Sequence, residues 1–282
     1  MSLNAQLHHL IHSDELIIAP GAFDGLSARL VEQAGFNAIY ASGGAIARSC
    51  GFPDIGLISF AEVCSRLQHM VEVTNTPIIA DADTGFGNVI NVQRTVKTFE
   101  RIGVSALHLE DQVFPKRCGH LDNKTLVSTD EMVQKIKVAK DAQHDPHFTV
   151  IARTDAIAVE GFEPALERAQ HYVEAGADMI FVEAPQSEEH IELIAKHIKA
   201  PKLINMFYGG KTPLVPTDKL QALGYRVVII PSDLQRAAIH SMQMALQAIK
   251  QHGDSASVQE QLVSFNEREA IIDTTRYLKL DK

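Results

Sequence analysis

The chain has 282 residues, 45% of them hydrophobic and 22% charged, and a net charge of −9; this is ordinary globular usage, long enough to bury a large core, and the acidic balance argues against a nucleic-acid-binding domain with its basic stripe. Three cysteines without a close pair, Cys50, Cys64 and Cys118, argue against a disulfide scaffold and a four-ligand zinc site. No apolar run reaches the ~18 residues of a membrane span and no basic stretch leads into an apolar segment at the N-terminus, so a cytoplasmic protein with no membrane partner is expected.

Read in chain order, short apolar runs recur at 16–19, 38–41, 77–80, 106–109, 148–152, 179–182, 202–204 and 226–230. Helical spacing separates them. Leu26, Leu30, Val31 and Ala34 follow the first run, Val63, Leu67 and Met70 the second, and Val92, Val96 and Phe99 the third. Met132, Ile136 and Ala139, then Ala165, Ala169 and Val173, then Ile191, Ile194 and Ile198 continue the series. Alternating strand and helix implies parallel strands joined by crossovers, and near-continuous apolar strands imply burial on both faces. Eight such units predict a closed (β/α)8 TIM barrel of α/β class rather than an open sheet. Gly35, Gly103 and Gly176 stand where left-handed C-caps are wanted, and Ser128-Thr129-Asp130-Glu131 reads as a helix N-terminus. No linker divides the chain, which predicts one barrel domain over 1–282 with a charged helical tail at 254–282.

In this fold chemistry sits at the C-terminal ends of the strands. Those ends read Tyr40-Ala41-Ser42-Gly43-Gly44, Asp81-Ala82-Asp83-Thr84-Gly85, His108-Leu109-Glu110-Asp111, Arg153-Thr154-Asp155, Glu183, Asn205 and Ser232. Strand alternation puts Asp81 and Asp83 on one face, and His108 and Glu110 likewise. Clustered carboxylates repel unless a positive charge sits among them. Oxygen-only ligands suit Mg²⁺, with Mn²⁺ as the alternative ion; a set of helix caps with an ion pair to Arg153 is the competing explanation. The loop after the fourth strand holds Lys116-Arg117-Cys118-Gly119-His120, where the cations are expected to lower the thiol pKa and ready Cys118 for proton transfer. Two nucleotide-loop fragments fail: Asn205 stands where the first glycine before Gly210-Lys211-Thr212 should be, and Ile90 stands at the final glycine position after Gly85-Phe86-Gly87. Cys50 and Cys64 read as packing residues, and His8, His9 and His12 as a solvated helix face.

Together, Ser42-Gly43-Gly44, Asp81 to Gly87, His108 to Gln112, Lys116 to His120 and Ala152 to Ala156 resemble the isocitrate lyase/phosphoenolpyruvate mutase superfamily, most closely its 2-methylisocitrate lyases. The resemblance implies a barrel whose last helix is swapped between subunits of a homotetramer. It implies Mg²⁺ held by Asp81 and Asp83, with Asp54 and Glu110 binding through its waters. Ser42, Gly43, Gly44, Gly119, His120, Arg153, Glu183, Asn205 and Arg236 would bind a small carboxylate substrate. Cys118 would be the acid/base, with Arg153, Glu110 and Tyr40 beside it. The activity implied is Mg²⁺-dependent cleavage of a carbon–carbon bond. The substrate would be a 2-hydroxy di- or tricarboxylate, either 2-methylisocitrate or a substituted malate. The products would be a 2-oxo acid such as pyruvate and a second carboxylate such as succinate. Two positions depart from the methylisocitrate lyases. They carry an acid just after the strand-seven Asn and an arginine before the Asn-Glu of the tail, where this chain has Met206-Phe207-Tyr208 and Phe265. The alternatives are an oxaloacetate decarboxylase, a carboxyvinyl-carboxyphosphonate or phosphoenolpyruvate mutase type of enzyme, and a non-catalytic oxo-acid-binding barrel.

Overall fold

The structure, a computed structural model, describes residues 1–280, so Asp281 and Lys282 of the expected tail lie outside the described residues. Helix α1 (Leu3–Ile11) precedes strand β1 (Ile17–Ala22) and α2 (Gly25–Gln33). Then come β2 (Ile39–Ala41), α3 (Gly43–Ser49), α4 (Phe60–Val73), β3 (Ile78–Asp81), α5 (Val89–Ile102) and β4 (Ala106–Glu110). The second half runs α6 (Thr129–Ala142), β5 (Thr149–Thr154), α7 (Phe162–Glu174), β6 (Met179–Val182), α8 (Glu188–His197), β7 (Lys202–Asn205), α9 (Thr217–Ala222) and β8 (Tyr225–Ile230). The chain ends in α10 (Asp233–His252), α11 (Phe265–Ile271) and α12 (Thr274–Leu280). The eight strands close in sequence order into one parallel barrel, with β1 pairing both β2 and β8.

Each expected strand is present, because each apolar run faces two apolar layers. Ile78 and Ala80, Leu107 and Leu109, and Val150 and Ala152 point outward and pack under the helices with Val63, Val96 and Ile136. Ile17, Ile79, Ala106, Ile151, Phe181 and Val227 fill the barrel interior in a separate cluster, closed from below by Leu7 and Ile11 of α1. Each buried Ile, Leu, Val or Phe among them contributes roughly 1.5–3 kcal/mol of transfer free energy, and each alanine less. The helix stops expected at Gly35, Gly103 and Gly176 have φ of 82°, 106° and 102°, a backbone that glycine adopts without penalty. Ser128 caps α6 by accepting from the Glu131 N–H at 3.1 Å.

Three barrel helices without an expected counterpart are α3, α9 and α10. Helix α3 begins with two glycines, which oppose helix propensity, and its Ser42 N-cap accepts from the Ala45 N–H at 3.2 Å. Helix α10 leaves Met242, Leu246 and Ile249 exposed, and the tail exposes Phe265, Tyr277 and Leu278. Among the described residues no helix is long and apolar enough to cross a membrane.

Candidate active site

Two residues up from the apolar interior, the same inward-facing rows turn polar. Ile79 is followed by Asp81, Ala106 by His108 and Glu110, Ile151 by Arg153, Phe181 by Glu183, and Leu203 by Asn205. The strand period of two places all of these at the mouth. A cavity of about 560 Å³ opens there, lined by Tyr40, Ser42, Gly44, Asp54, Asp81, Cys118, Gly119, His120, Arg153, Glu183, Asn205 and Arg236. It therefore collects twelve of the fifteen residues expected at the site. Gly43, Asp83 and Glu110 lie in its wall rather than on its surface. Lys211, from the fragment weighed above as a nucleotide loop, also lines it, as do Arg48 and Gln235, which carried no distinctive sequence signal.

Asp81 and Asp83 reach the mouth by different means. The strand ends at Asp81, and Asp83 turns back with φ 47°, its N–H donating to Asp81 Oδ1 at 2.9 Å. The turn, not strand alternation, makes the pair. Close approach explains both glycines of α3: a Cβ on Gly43 would lie 2.7 Å from Asp81 Oδ2, and one on Gly44 2.9 Å from Asp54 Oδ2. The N–H groups of Gly43 and Gly44 precede the first intrahelical bond and are available to an anion.

The positive charge these acids need comes from the loop. Lys116, 3% exposed, places its ammonium 2.6 Å from Asp54 and 2.8 Å from Asp83. Sequence reading assigned Lys116 only an effect on the neighbouring thiol. Burial raises the Asp83 carboxyl to about 6 against the pull of Lys116. Burial also lifts Glu110 well above the usual carboxylate range, opposed first by Arg153. Asp81 stays low, at about 2, because His108, Lys116 and Arg153 together outweigh burial. Beneath it His108 Nε2 sits 2.8 Å from Tyr40 Oη, and burial lowers the imidazole to about 4, so it is neutral at pH 7.

The fit to a divalent cation rests on these groups. Both oxygens of Glu110 are buried without a hydrogen bond, while Asp83 Oδ1 faces the Lys116 ammonium; a buried carboxylate short of hydrogen bonds calls for a cation. Four carboxylates supply only oxygen, the donor chemistry of Mg²⁺. Among the described residues no three metal-ligating side chains already meet at one point, and the Lys116 ammonium stands between Asp54 and Asp83.

Arg153 is fixed from three sides. Asp155 accepts from its Nε at 2.9 Å and its Nη2 at 3.1 Å, Glu110 lies 3.4 Å from Nε, and Glu183 3.6 Å from Nη1. The guanidinium also stacks over Phe181, 5.1 Å from the ring centre. Such a held fork suits a planar carboxylate. The loop lies closed over this floor: His120 Nε2 is 3.2 Å from Glu183, and the Cys118 N–H donates to the Asp54 carbonyl at 3.0 Å. One expectation is corrected here. Burial and then the Asp54 carboxylate push the Cys118 thiol up, outweighing Lys116 and Arg153. Lys116 is spent on the aspartates, and Arg117 is exposed, so the thiol stays protonated at pH 7.

Residues 7–250 match the phosphoenolpyruvate phosphomutase family, and the chain belongs to the phosphoenolpyruvate mutase/isocitrate lyase superfamily. It is 42% identical over 268 residues to the 2,3-dimethylmalate lyase of Eubacterium barkeri, covering 95% of this chain and 93% of that one. It is 44% identical over 275 residues to the 2-methylisocitrate lyase of Aeropyrum pernix, covering 98% and 89%. These similarities place the chain among the lyases of the superfamily. A crystal structure of 2,3-dimethylmalate lyase superposes with a TM-score of 0.94 at 34% identity, covering 100% of this chain and 95% of that one. A phosphonopyruvate hydrolase solved with oxalate and Mg²⁺ gives 0.91 at 32% identity, covering 100% and 98%.

Proposed function

We propose that this protein is a Mg²⁺-dependent lyase that cleaves a 2-hydroxy di- or tricarboxylate, a substituted malate or 2-methylisocitrate, into a 2-oxo acid and a second carboxylate. One observation carries the reading: the closed loop brings a protonated thiol, Cys118, into the same cavity as Arg153 and Asp81. Asp81 and Asp83 would hold the cation, with Asp54 and Glu110 reached through its waters. When bound, Mg²⁺ supplies polarisation of the oxygen that becomes the oxo group.

The protein's own groups do the rest. Arg153 binds the carboxylate beside the reacting carbon, and Ser42 with the Gly43 and Gly44 N–H groups binds the oxygen on it. The hydroxyl proton passes to the Glu110 carboxylate below. The O–H pair becomes the C=O bond as the C–C bond breaks, and the released pair resides on the carbon next to the second carboxylate. Cys118 delivers its proton there, a task for a thiol rather than a thiolate. Tyr40 stays un-ionised, held high by burial and Asp81, and donates toward the oxo oxygen. Glu183, Asn205, Gly119 and His120 shape the pocket and exclude water. Arg236, already donating to the Tyr208 carbonyl at 2.7 Å, faces the distal carboxylate.

Phe265, where methylisocitrate lyases carry an arginine, favours a substituted malate over a tricarboxylate. We place the enzyme in the cytoplasm. We read 1–282 as one barrel domain with 254–282 as its tail, and as a homotetramer with the last helix exchanged between subunits, a reading supported by the exposed apolar residues of α10 and the tail. The test is a substrate panel of 2,3-dimethylmalate, 2-methylisocitrate, isocitrate and oxaloacetate with Mg²⁺, following 2-oxo-acid formation or loss. Cleavage of a malate or methylisocitrate is expected. Turnover confined to oxaloacetate, or none with any of the four, rejects the reading.

A further inference from the structure

Residues 113 to 125 form a closed loop with a neck and two sets of ties. At the neck Gln112 bridges Leu126, and the Val113 N–H donates to the Thr125 carbonyl at 2.8 Å. The outer ties, Lys116 and His120, dock the loop on the barrel. The inner ties hold its own shape. Gln112 clasps the Arg117 backbone, its Oε1 accepting at 2.9 Å and its Nε2 donating at 2.8 Å. The remaining inner tie is Lys124, which neither the sequence motifs nor the proposed chemistry uses.

Lys124 is 7% exposed, and its ammonium makes two contacts. It donates to the Gly119 carbonyl at 2.5 Å and to Asp155 Oδ1 at 2.8 Å. Gly119 follows Cys118 directly, and Asp155 is the residue whose carboxylate holds the Arg153 fork. The two surfaces touch: a Cβ on Gly119 would lie 2.5 Å from Arg153 Nη2 and 2.8 Å from Glu183. A buried ammonium bridging a loop carbonyl and a barrel carboxylate is a strong, directional tie, because both contacts are charge-assisted and shielded from water.

We propose that Lys124 is a positioning residue that locks the thiol-bearing peptide and the Arg153 guanidinium into one register. It does so from behind the loop, touching no substrate. The inference deepens the lyase reading above, since the register matters for catalysis only if Cys118 and Arg153 act on one molecule. The geometry of the tie itself does not depend on that reading.

The test uses the full chain with Cys50→Ala and Cys64→Ala, so that iodoacetamide reports on Cys118 alone. In Lys124→Met the Cys118 alkylation rate rises at least tenfold at pH 7.5, as the loop lifts from Arg153. Loss of a positive charge would by itself make the thiol harder to ionise and slow the reaction, so a faster rate reports exposure and not electrostatics. Asp155→Asn, which removes the other end of the tie, raises the rate too, and the double variant exceeds neither single by more than twofold. With an active substrate, Lys124→Met loses at least tenfold in kcat while KM changes less, and Lys124→Arg recovers part of the loss. A wild-type alkylation rate in a folded Lys124→Met overturns the proposal. If that variant does not fold, Lys124→Gln is measured in its place and a wild-type rate there is equally decisive. A raised alkylation rate without turnover on any substrate would leave the tie standing and reject the lyase reading instead.

Discussion

At the lower end of the barrel the inward positions are Ile17, Ile79, Ala106, Ile151 and Val227, plugged by Leu7 and Ile11. At the upper end the next inward positions on the same strands are Asp81, His108, Glu110 and Arg153. The lower end is lined by apolar side chains. The buried carboxylate oxygens that lack a hydrogen bond on Glu110 and Glu183 lie at the upper end. A protein can leave such charges unsatisfied only where the surrounding structure fixes them, and the apolar lower half supplies that rigidity. The comparison teaches that stability and chemistry are divided along the strand axis, two residues apart.

The sharpest way to break this division is at Cys118. Cys118→Ser is expected to lower kcat roughly 10³-fold, the range for removing a general acid, with the melting temperature and 2-oxo-acid binding unchanged; full turnover in that variant removes Cys118 from the chemistry. The reverse pattern is expected below. Leu7→Ala leaves a cavity under a fully buried site and costs about 3 kcal/mol in denaturant unfolding, with kcat retained. A large kcat loss there would show that the two ends are coupled.

Gly119→Ala tests the loop seat. The added methyl meets Arg153 and Glu183, so roughly a 10²-fold loss in kcat/KM is expected from misplacement of the thiol, read by steady-state kinetics. The smallest effect is a pH dependence from the lower end. Burial lowers Lys202, whose ammonium rests on the Ile198 and Ala200 carbonyls, to about 8. Its folded pKa lies below its unfolded value, so between about pH 8 and 10.5 the unfolded chain holds the extra proton and stability rises with pH. Allowing for solvent screening, the gain is about 1 kcal/mol. Urea melts of wild type against Lys202→Met across that range isolate it, and parallel curves would deny the shift.

Much of this division was legible in the sequence. Apolar runs of strand length marked all eight strands, and glycines at 35, 103 and 176 marked helix ends. The polar residues that follow Ile79, Ile151 and Leu203 marked the mouth. Helix α3 was not legible, because Gly43 and Gly44 are there for the close approach of Asp81 and Asp54, which no local pattern reports. The direction of the Cys118 shift was misread for the same kind of reason. Sequence showed two cations beside the thiol but not that one of them, Lys116, faces the aspartates. Lys124 looks like an ordinary surface-type charge in the sequence, and it meets Asp155 of the fifth strand end only in the folded loop.

By itself the sequence determined the strand and helix order, the parallel barrel and the set of polar residues delivered to its mouth, since these follow from periodicities of two and 3.6 residues along a single chain. The tertiary structure alone decided which charges neutralise which, because the pairings of Lys116 with Asp54 and Asp83, and of Lys124 with Asp155, cross between separate segments. Burial then set the protonation of Cys118, Glu110 and His108, and burial is a property of the packed whole.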